Sequence, residues 1–494
     1  MKKIFFKDET NKKIWDLAFP ATIETALQFL IGFIDIMMIT RISLIAVTAI
    51  SVANSVMNVY LSVFIALGIG ATALISKKSK SEDKDNTSGI AAQATVLAII
   101  VGIVLGAVAI IFGSNIMQLV SSYDDVSQLS AQFFGIVGGG AVVISLMMIF
   151  GSILRANGDA KSPMKISIVV NAVNIVASFV LIFGIGFVPA LGVVGSAIAT
   201  VFSRFVGCVL LYRKIRKSSV AFNFSVMLRQ RNFADLIRLS IPATLERLIM
   251  RLGQVIYFSI IVAIGAITLA SHAIIGSIEM FVSMAAYGLS IALATLVGQS
   301  VGAKTCSDIE RLTYRSIRYG VIILGFFGII LFFSVPAVAL IFTDDQEAID
   351  RIIIGSRIFT FSIPALATST ILTGALQGMG DTKTPMYSTA VGMWGVRMLG
   401  VIVFGFLLDL DIAGVWLSIG IDLYVRSVFL FYRFKRNVFK LRKNELPSLP
   451  GQDDRLFEHK HFHSHVGGNQ DHEHIFSVKW HSHPHIHDDS EHSH

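Results

Sequence analysis

The sequence predicts an all-α polytopic membrane protein, with twelve transmembrane helices in two parallel-repeat six-helix lobes around a central cavity. Two observations predict it. Composition is the first: of 494 residues, 54% are hydrophobic and only 15% charged, and the mean hydropathy is +0.69, too apolar for an ordinary soluble domain. The second is an internal repeat. Gly158-Asp159-Ala160-Lys161-Ser162-Pro163-Met164 recurs 222 residues later as Gly380-Asp381-Thr382-Lys383-Thr384-Pro385-Met386. The same offset carries Pro20-Ala21-Thr22 and Glu24 onto Pro242-Ala243-Thr244 and Glu246. It also carries Gly192, Ser196 and Arg204 onto Gly414, Ser418 and Arg426. Chance does not hold one register over so many separate segments.

Apolar runs at 91–112, 141–154, 166–188 and 321–341 approach or exceed the roughly 20 residues a helix needs to cross the hydrocarbon core, and about six such spans fit each half. Lys and Arg cluster at 2–13, 77–84, 155–165, 213–238, 304–318, 383 and 433–443. Intervening segments at 113–132, 184–192, 265–271, 343–350 and 407–414 have neither residue. By the positive-inside rule this alternation puts both termini in the cytoplasm of a multi-pass cell (plasma) membrane protein. An even number of spans per half makes the repeats parallel, related by an axis along the membrane normal.

The organisation read from this pattern is an N-terminal lobe at 1–214, a basic cytoplasmic linker at 215–235, a C-terminal lobe at 236–443 and a tail at 444–494. The tail is too polar to form a core and is expected to be disordered. The first apolar segment is too long for a signal peptide and lacks a small-residue cleavage site, so it reads as the first span. Cys208 and Cys306 read as ordinary small residues of a reducing compartment. The net charge of +8 is largely accounted for by the membrane-flanking loops, and no basic domain with interleaved aromatics points to nucleic acid. No ATP-binding loop, HExxH or Ser/His/Asp set is present, which argues against an enzyme.

Within the first span, Glu24 and Asp35 are eleven residues apart, about 1100° of helix and some 20° short of or past three turns, so they share one face. Thr25 and Gln28 extend that face into a polar stripe. A carboxylate inside a span is costly unless it meets protein or water, which makes Asp35 a functional-site candidate. The competing reading is a carboxylate held only for helix packing. Asn171, Asn174 and Ser178 line one face of the fifth span in the same way, with an ordinary packing seam as the alternative. In the second half Tyr257 stands where Asp35 would, and Glu246, Arg247, Arg251, Arg397, Asp422 and Arg426 fall in or near spans. Asp422 and Arg426, four residues apart, can pair on one helix face.

Across residues 14–437 the chain resembles the multidrug and toxic compound extrusion (MATE) family. The resemblance is carried by Phe19-Pro20-Ala21-Thr22-Ile23-Glu24 running on to Phe33-Ile34-Asp35, by the doubled Gly-Asp-x-Lys-x-Pro-Met loops, and by Asn174 followed by Leu181-Ile182-Phe183-Gly184. It implies a secondary antiporter that exports organic cations, amphipathic drugs or other xenobiotics in exchange for Na⁺ or H⁺ by alternating access, with no organic cofactor. By the same resemblance Asp35 is the coupling carboxylate, Asn174 and Thr200 supply neutral oxygens to it, and Pro20 and Pro242 are hinge positions. Glu246 resembles the acidic residue that one branch carries near the start of its seventh helix, the rival being a salt bridge between lobes. Many members have a second Asp where this chain has Ser178, so the coupling ion does not carry over.

Met250, Tyr257, Met280, Phe281, Met284, Tyr287, Met393 and Trp394, with Gln28 and Asn171, would line the substrate cavity; soft thioethers and aromatic faces suit flat cationic molecules. Twelve of the thirteen His lie in the tail, at His459, His461, His463, His465, His472, His474, His481, His483, His485, His487, His492 and His494. Neutral imidazoles so spaced suit Zn²⁺, Ni²⁺ or Cu²⁺. The alternatives to drug antiport are a flippase for lipid-linked precursors, which would favour a cationic cavity, and a metal-responsive transporter regulated by the tail. The protein is expected to act in the lipid bilayer as a monomer.

Overall fold

The computed structural model describes residues 8–79, 85–121, 123–184, 188–222 and 233–445, and every regular element among them is helical. The first lobe comprises α1 (Glu9–Thr40), α2 (Leu44–Ser79), α3 (Asp85–Val120), α4 (Asp124–Gly139), α5 (Ala141–Ala156), α6 (Lys161–Phe183) and α7 (Gly192–Ile215). The second comprises α8 (Ala234–Ile264), α9 (Ala266–Gly302), α10 (Cys306–Phe342), α11 (Gln346–Gly378), α12 (Lys383–Leu407) and α13 (Asp411–Glu445). Eleven of these are long and apolar enough to cross a bilayer; α4 and α5, bent by 49° at Gly140, make the twelfth span as a pair. Contacts divide the chain into one unit through Phe439 and a second from Lys440. The tail and its expected metal ligands lie outside the described residues.

The apolar exterior fits a lipid solvent. Ile110, Phe333 and Ile341 are 69%, 78% and 80% exposed, which a soluble protein would bury. Beneath this surface the first lobe packs two apolar clusters, one around Ile75, Ile149 and Ile153 and one around Phe64, Phe134 and Ile144. The second lobe packs one cluster around Phe359, Ile363 and Trp416.

Both repeated loops solve the same turn. Gly158 and Gly380 adopt φ of 94° and 85°, in the region glycine enters without penalty. Asp159 then accepts from the Ser162 backbone N–H at 2.9 Å and hydroxyl at 2.7 Å, and Asp381 accepts from the same groups of Thr384 at 3.0 and 2.6 Å. The carboxylate therefore starts the next helix. Pro163 and Pro385 follow as the third residues of their helices.

The lobes meet mainly through α1 with α9, α2 with α8, and α2 with α9. These contacts concentrate at the end of the bundle that carries Lys77, Lys78 and Lys161. A methyl group on Gly302 would collide with the Lys77 carbonyl oxygen, so the backbones touch there. Gln299 donates to the Ala156 carbonyl at 3.3 Å. At the chain's start Asp8 caps α1 by accepting from the Thr10 N–H at 3.0 Å; it also pairs with Arg311 at 2.8 Å and with Arg315, which bonds Asn11 at 2.9 Å. Trp15 packs on Tyr319 beside this clasp. The lobes are thus joined at the basic end, leaving α1 and α8 little covered, with 6% and 17% of their apolar windows buried.

The Arg315 guanidinium, then the Thr10 N–H, hold the Asp8 carboxyl well below the usual carboxylate range. A depressed acid contributes its stabilisation above its unfolded pKa and loses it only as pH falls through the folded one. Spin labels placed on α1 and α10 at this end are therefore expected to keep one separation from about pH 8 to about pH 5 and to move apart in Asp8→Asn. An unchanged separation in the variant would remove the clasp from the closure.

Candidate functional site

In the first lobe α1 carries Glu24, Gln28 and Asp35 on one face, with Glu24 meeting α5, Asp35 meeting α6 and Gln28 exposed. Asp35 is half-buried and accepts from the Ser178 hydroxyl at 3.3 Å; Arg204 of α7 is its charged neighbour. One turn back along α6, Asn174 is 1% exposed and donates to Ser203 Oγ at 3.3 Å. Its own Oδ1 has no protein partner. Thr200 joins through its backbone carbonyl, which accepts from Ser203 at 3.0 Å, and Asn171 ties the seam to the Leu27 carbonyl at 2.9 Å. A carboxylate, a hydroxyl and a buried, unpaired amide oxygen on adjoining helix faces form a donor set for a hard monovalent cation or a proton.

Glu24, the other acid of the stripe, is already compensated. Arg155 of α5 donates to both its oxygens, at 2.7 and 2.9 Å, and to Ser152 Oγ at 3.1 Å. The repeat preserves this contact with its charge removed: the equivalents 222 residues on are Glu246 and Gln377, and Gln377 donates to Glu246 at 3.5 Å. Glu246's other neighbours, Thr389, Arg247 and Arg426, also belong to the second lobe. The alternative expectation of a salt bridge between lobes at Glu246 is therefore corrected, because α8 directs the side chain into its own bundle.

The second lobe inverts the first lobe's chemistry. Tyr257, in the place of Asp35, is 2% exposed, with its hydroxyl bonded to His272 Nε2 at 3.2 Å and its ring edge-on to the imidazole. The lobe's carboxylate comes instead from Asp422, the repeat equivalent of Thr200. It is fully buried, accepting from Arg426 Nε at 2.6 Å and from Arg397 Nε and Nη2 at 2.9 and 2.8 Å. Arg426 is the equivalent of Arg204. Each lobe thus sets one carboxylate against the homologous arginine, but the carboxylate has moved from the first helix to the last. Gly392 makes room for the pair, since any side chain there would strike both Asp422 and Arg426. Around it α12 widens into π turns at Val391–Arg397 and Val401–Leu407, local distortions frequent at functional sites.

Of the expected cavity residues, Gln28, Met280, Tyr287 and Trp394 are exposed, and Asn171 is half-buried. Met250 is half-buried against the core cluster. Tyr257, Met284 and Met393 are corrected to buried positions: Tyr257 and Met393 belong to the second lobe's core cluster, and Met284 is 9% exposed. Pro20 and Pro242 lie buried within α1 and α8. Sequence reasoning missed Glu279, mid-span in α9, whose charged neighbour is Arg397. A lone carboxylate in an apolar run was the available signal. Arg155 was read only as part of a basic loop.

A bundle of twelve spans in two related lobes, each carrying charged side chains inside its spans, is the architecture of a membrane carrier. The family model MatE matches residues 20–180 and again 242–403, and the two matches begin one repeat length apart. The chain belongs to the MATE family of efflux transporters. It is similar to the uncharacterized transporter YisQ of Bacillus subtilis, with 25% identity over 89% of this chain and 99% of that one. To the probable multidrug resistance protein NorM of Thermotoga maritima it is 28% identical over 85% and 91%. Among solved structures, a MOP superfamily transporter from Pyrococcus furiosus superposes with a TM-score of 0.82 at 20% identity, covering 88% and 97%. An outward-facing MATE transporter gives the same figures. At that identity the superpositions speak for the fold.

Removing one partner of a buried ion pair strands the other, at about 3–5 kcal/mol. Asp422→Ala is expected to lower the thermal midpoint of the purified protein sharply by leaving Arg397 and Arg426 uncompensated, and adding Arg426→Met should restore part of the loss. An unaltered midpoint in Asp422→Ala would show that this network is not structural.

Proposed function

We propose that the chain is a secondary antiporter that exports amphipathic, drug-like organic compounds in exchange for Na⁺ or H⁺ bound at Asp35, alternating access between its lobes. The observation that carries this reading is the half-buried Asp35, held by Ser178 and flanked by the unpaired Asn174 oxygen on the least covered helix of the bundle. A negative charge there is costly in an apolar span, so taking up a cation or a proton changes how favourably α1 packs. With the basic end inside, in accord with the charge distribution, the clasped lobes leave the cleft open to the outside, where the coupling ion enters. Release of cargo and loading of the ion then share one state. Reorientation requires α1 and α2 to part from α9 and α8, breaking the Asp8 clasp and the close contact at Gly302. The multidrug resistance names of several relatives support a drug-like cargo.

Proteoliposomes carrying imposed Na⁺ or H⁺ gradients test the reading with a panel of fluorescent amphipathic dyes. One gradient is expected to drive dye movement, and Asp35→Asn is expected to abolish it while leaving the protein folded. Undiminished gradient-driven movement in Asp35→Asn would refute coupling at this site. Truncation after Lys443 is expected to leave efflux unchanged, whereas a transporter controlled by metal on the tail would lose activity or its metal response.

A further inference from the structure

From Thr22 to Met38 every residue of α1 keeps part of its surface open, so apolar burial does not decide which lobe this stretch follows. At Thr22 the helix lies against the other lobe: a methyl group on Gly288 of α9 would collide with the Thr22 hydroxyl and backbone. Two residues on, Glu24 is held by Arg155 of its own lobe. Within a single turn α1 is in touch with both halves of the carrier.

The two attachments differ in kind. The Thr22 hydroxyl donates to the Ala18 carbonyl of its own helix at 2.9 Å, so its contact with Gly288 is one of shape. Glu24 accepts two bonds from Arg155 Nη1, at 2.7 and 2.9 Å, and the two side chains are 14% and 16% exposed. Such charge-assisted bonds are the stronger class, and salt screens them less than an exposed pair. Arg155 is itself fixed along α5. Its Nη2 donates to Ser152 Oγ at 3.1 Å, Ser152 donates to the Met148 carbonyl at 3.0 Å, and a Cβ on Gly151 would come within 3.1 Å of Nη1. The other polar ties of α1 to its lobe, among the described residues, are weaker or conditional. Asp16 and Lys161 pair at 3.3 Å but are 46% and 64% exposed, an arrangement that contributes little. Asn171 on the Leu27 carbonyl is neutral, and the Ser178 bond to Asp35 sits where the proposed coupling ion would bind. In the second lobe the equivalent tie has an amide in place of the guanidinium, Gln377 reaching Glu246 at 3.5 Å.

From these contacts we infer that Glu24 and Arg155 are positioning residues of the transport cycle: their pair keeps α1 with the first lobe, so that the helix leaves α9 when the lobes part and carries Asp35 along with Ser178 and Asn174 as one site. The inference rests on the proposed alternating access and adds to it the contact that decides where α1 goes. The pair acts through the helix and not on cargo or ion.

Spin-label distances in the full-length protein test it, with labels at the exposed positions Phe33 of α1, Val176 of α6 and Phe281 of α9. They are read with and without saturating Na⁺, at about pH 5 and about pH 8. Expected in the wild type is one narrow α1–α6 separation under every condition, while the α1–α9 separation changes. In Glu24→Gln and in Arg155→Gln the α1–α6 distribution should broaden or split. The charge exchange Glu24→Arg with Arg155→Glu should narrow it again, a rescue that a mere packing role does not give. Glu24→Asp, which keeps the charge and shortens its reach, gives the same reading where Glu24→Gln does not fold. Gradient-driven movement of rhodamine 6G in proteoliposomes should fall about tenfold in the single variants, more in kcat than in KM. A lowered thermal midpoint with an unchanged α1–α6 distribution would reduce the pair to a packing contact and overturn the inference, as would an α1 that stays with α9 while the pair is intact. If rhodamine 6G moves under no gradient and the α1–α9 separation never changes, alternating access fails. The α1–α6 distribution then decides the tether by itself: broadening in the single variants sustains it, and a wild-type distribution sinks it.

Discussion

An ionised side chain inside hydrocarbon must find an opposite charge, a hydrogen-bond partner or water, and this constraint organises the protein from its pairing to its cleft. Each lobe carries charges that no soluble helix bundle of this composition would need. Each answers them locally: Glu24 with Arg155, Asp35 with Ser178 and Arg204, and Asp422 with Arg397 and Arg426. The apolar residues could pack in many registers, whereas these polar contacts fit few. They fix which helix faces turn inward.

The repeat then shows what duplication leaves free. Backbone features survive in both halves: the positive-φ glycines, the aspartate-capped loops, the buried prolines of α1 and α8. The chemistry has diverged on that common frame. Arg155 became Gln377 in its equivalent position, Asp35 became Tyr257, and the carboxylate facing the shared arginine passed from the first helix to the last. One lobe is left with a half-buried acid that accepts from a hydroxyl, the other with a fully buried acid held by two arginines. The two halves thus share a backbone frame but not a set of charged partners.

Closure at the basic end depends on different physics. Where α9 meets α2, glycine allows backbone contact and small residues fill the seam, so the lobes are joined by shape. Over this seam the Asp8 clasp adds exposed ion pairs, which are individually weak and screened by salt. Such a joint suits the proposed alternating access, in which it would have to separate.

By itself the sequence determined the architecture. Apolar runs of spanning length, alternating basic loops and a constant offset of 222 residues are properties of the chain read in order, and helices in lipid satisfy their own backbone, so span and repeat survive folding unchanged. Asp35 was legible for the same reason, as a carboxylate in an apolar run, and the Asp422 pairing with Arg426 was legible because four residues make one turn. Tertiary structure alone decided the partners that come from other helices: Arg155 on Glu24 is 131 residues away, and Arg397 reaches Asp422 from a separate span. It also decided which of the soft aromatic and thioether residues remain open, since helical spacing names a face but not the neighbour that covers it. Tyr257, Met284 and Met393 are buried, and Tyr287 and Trp394 stay exposed.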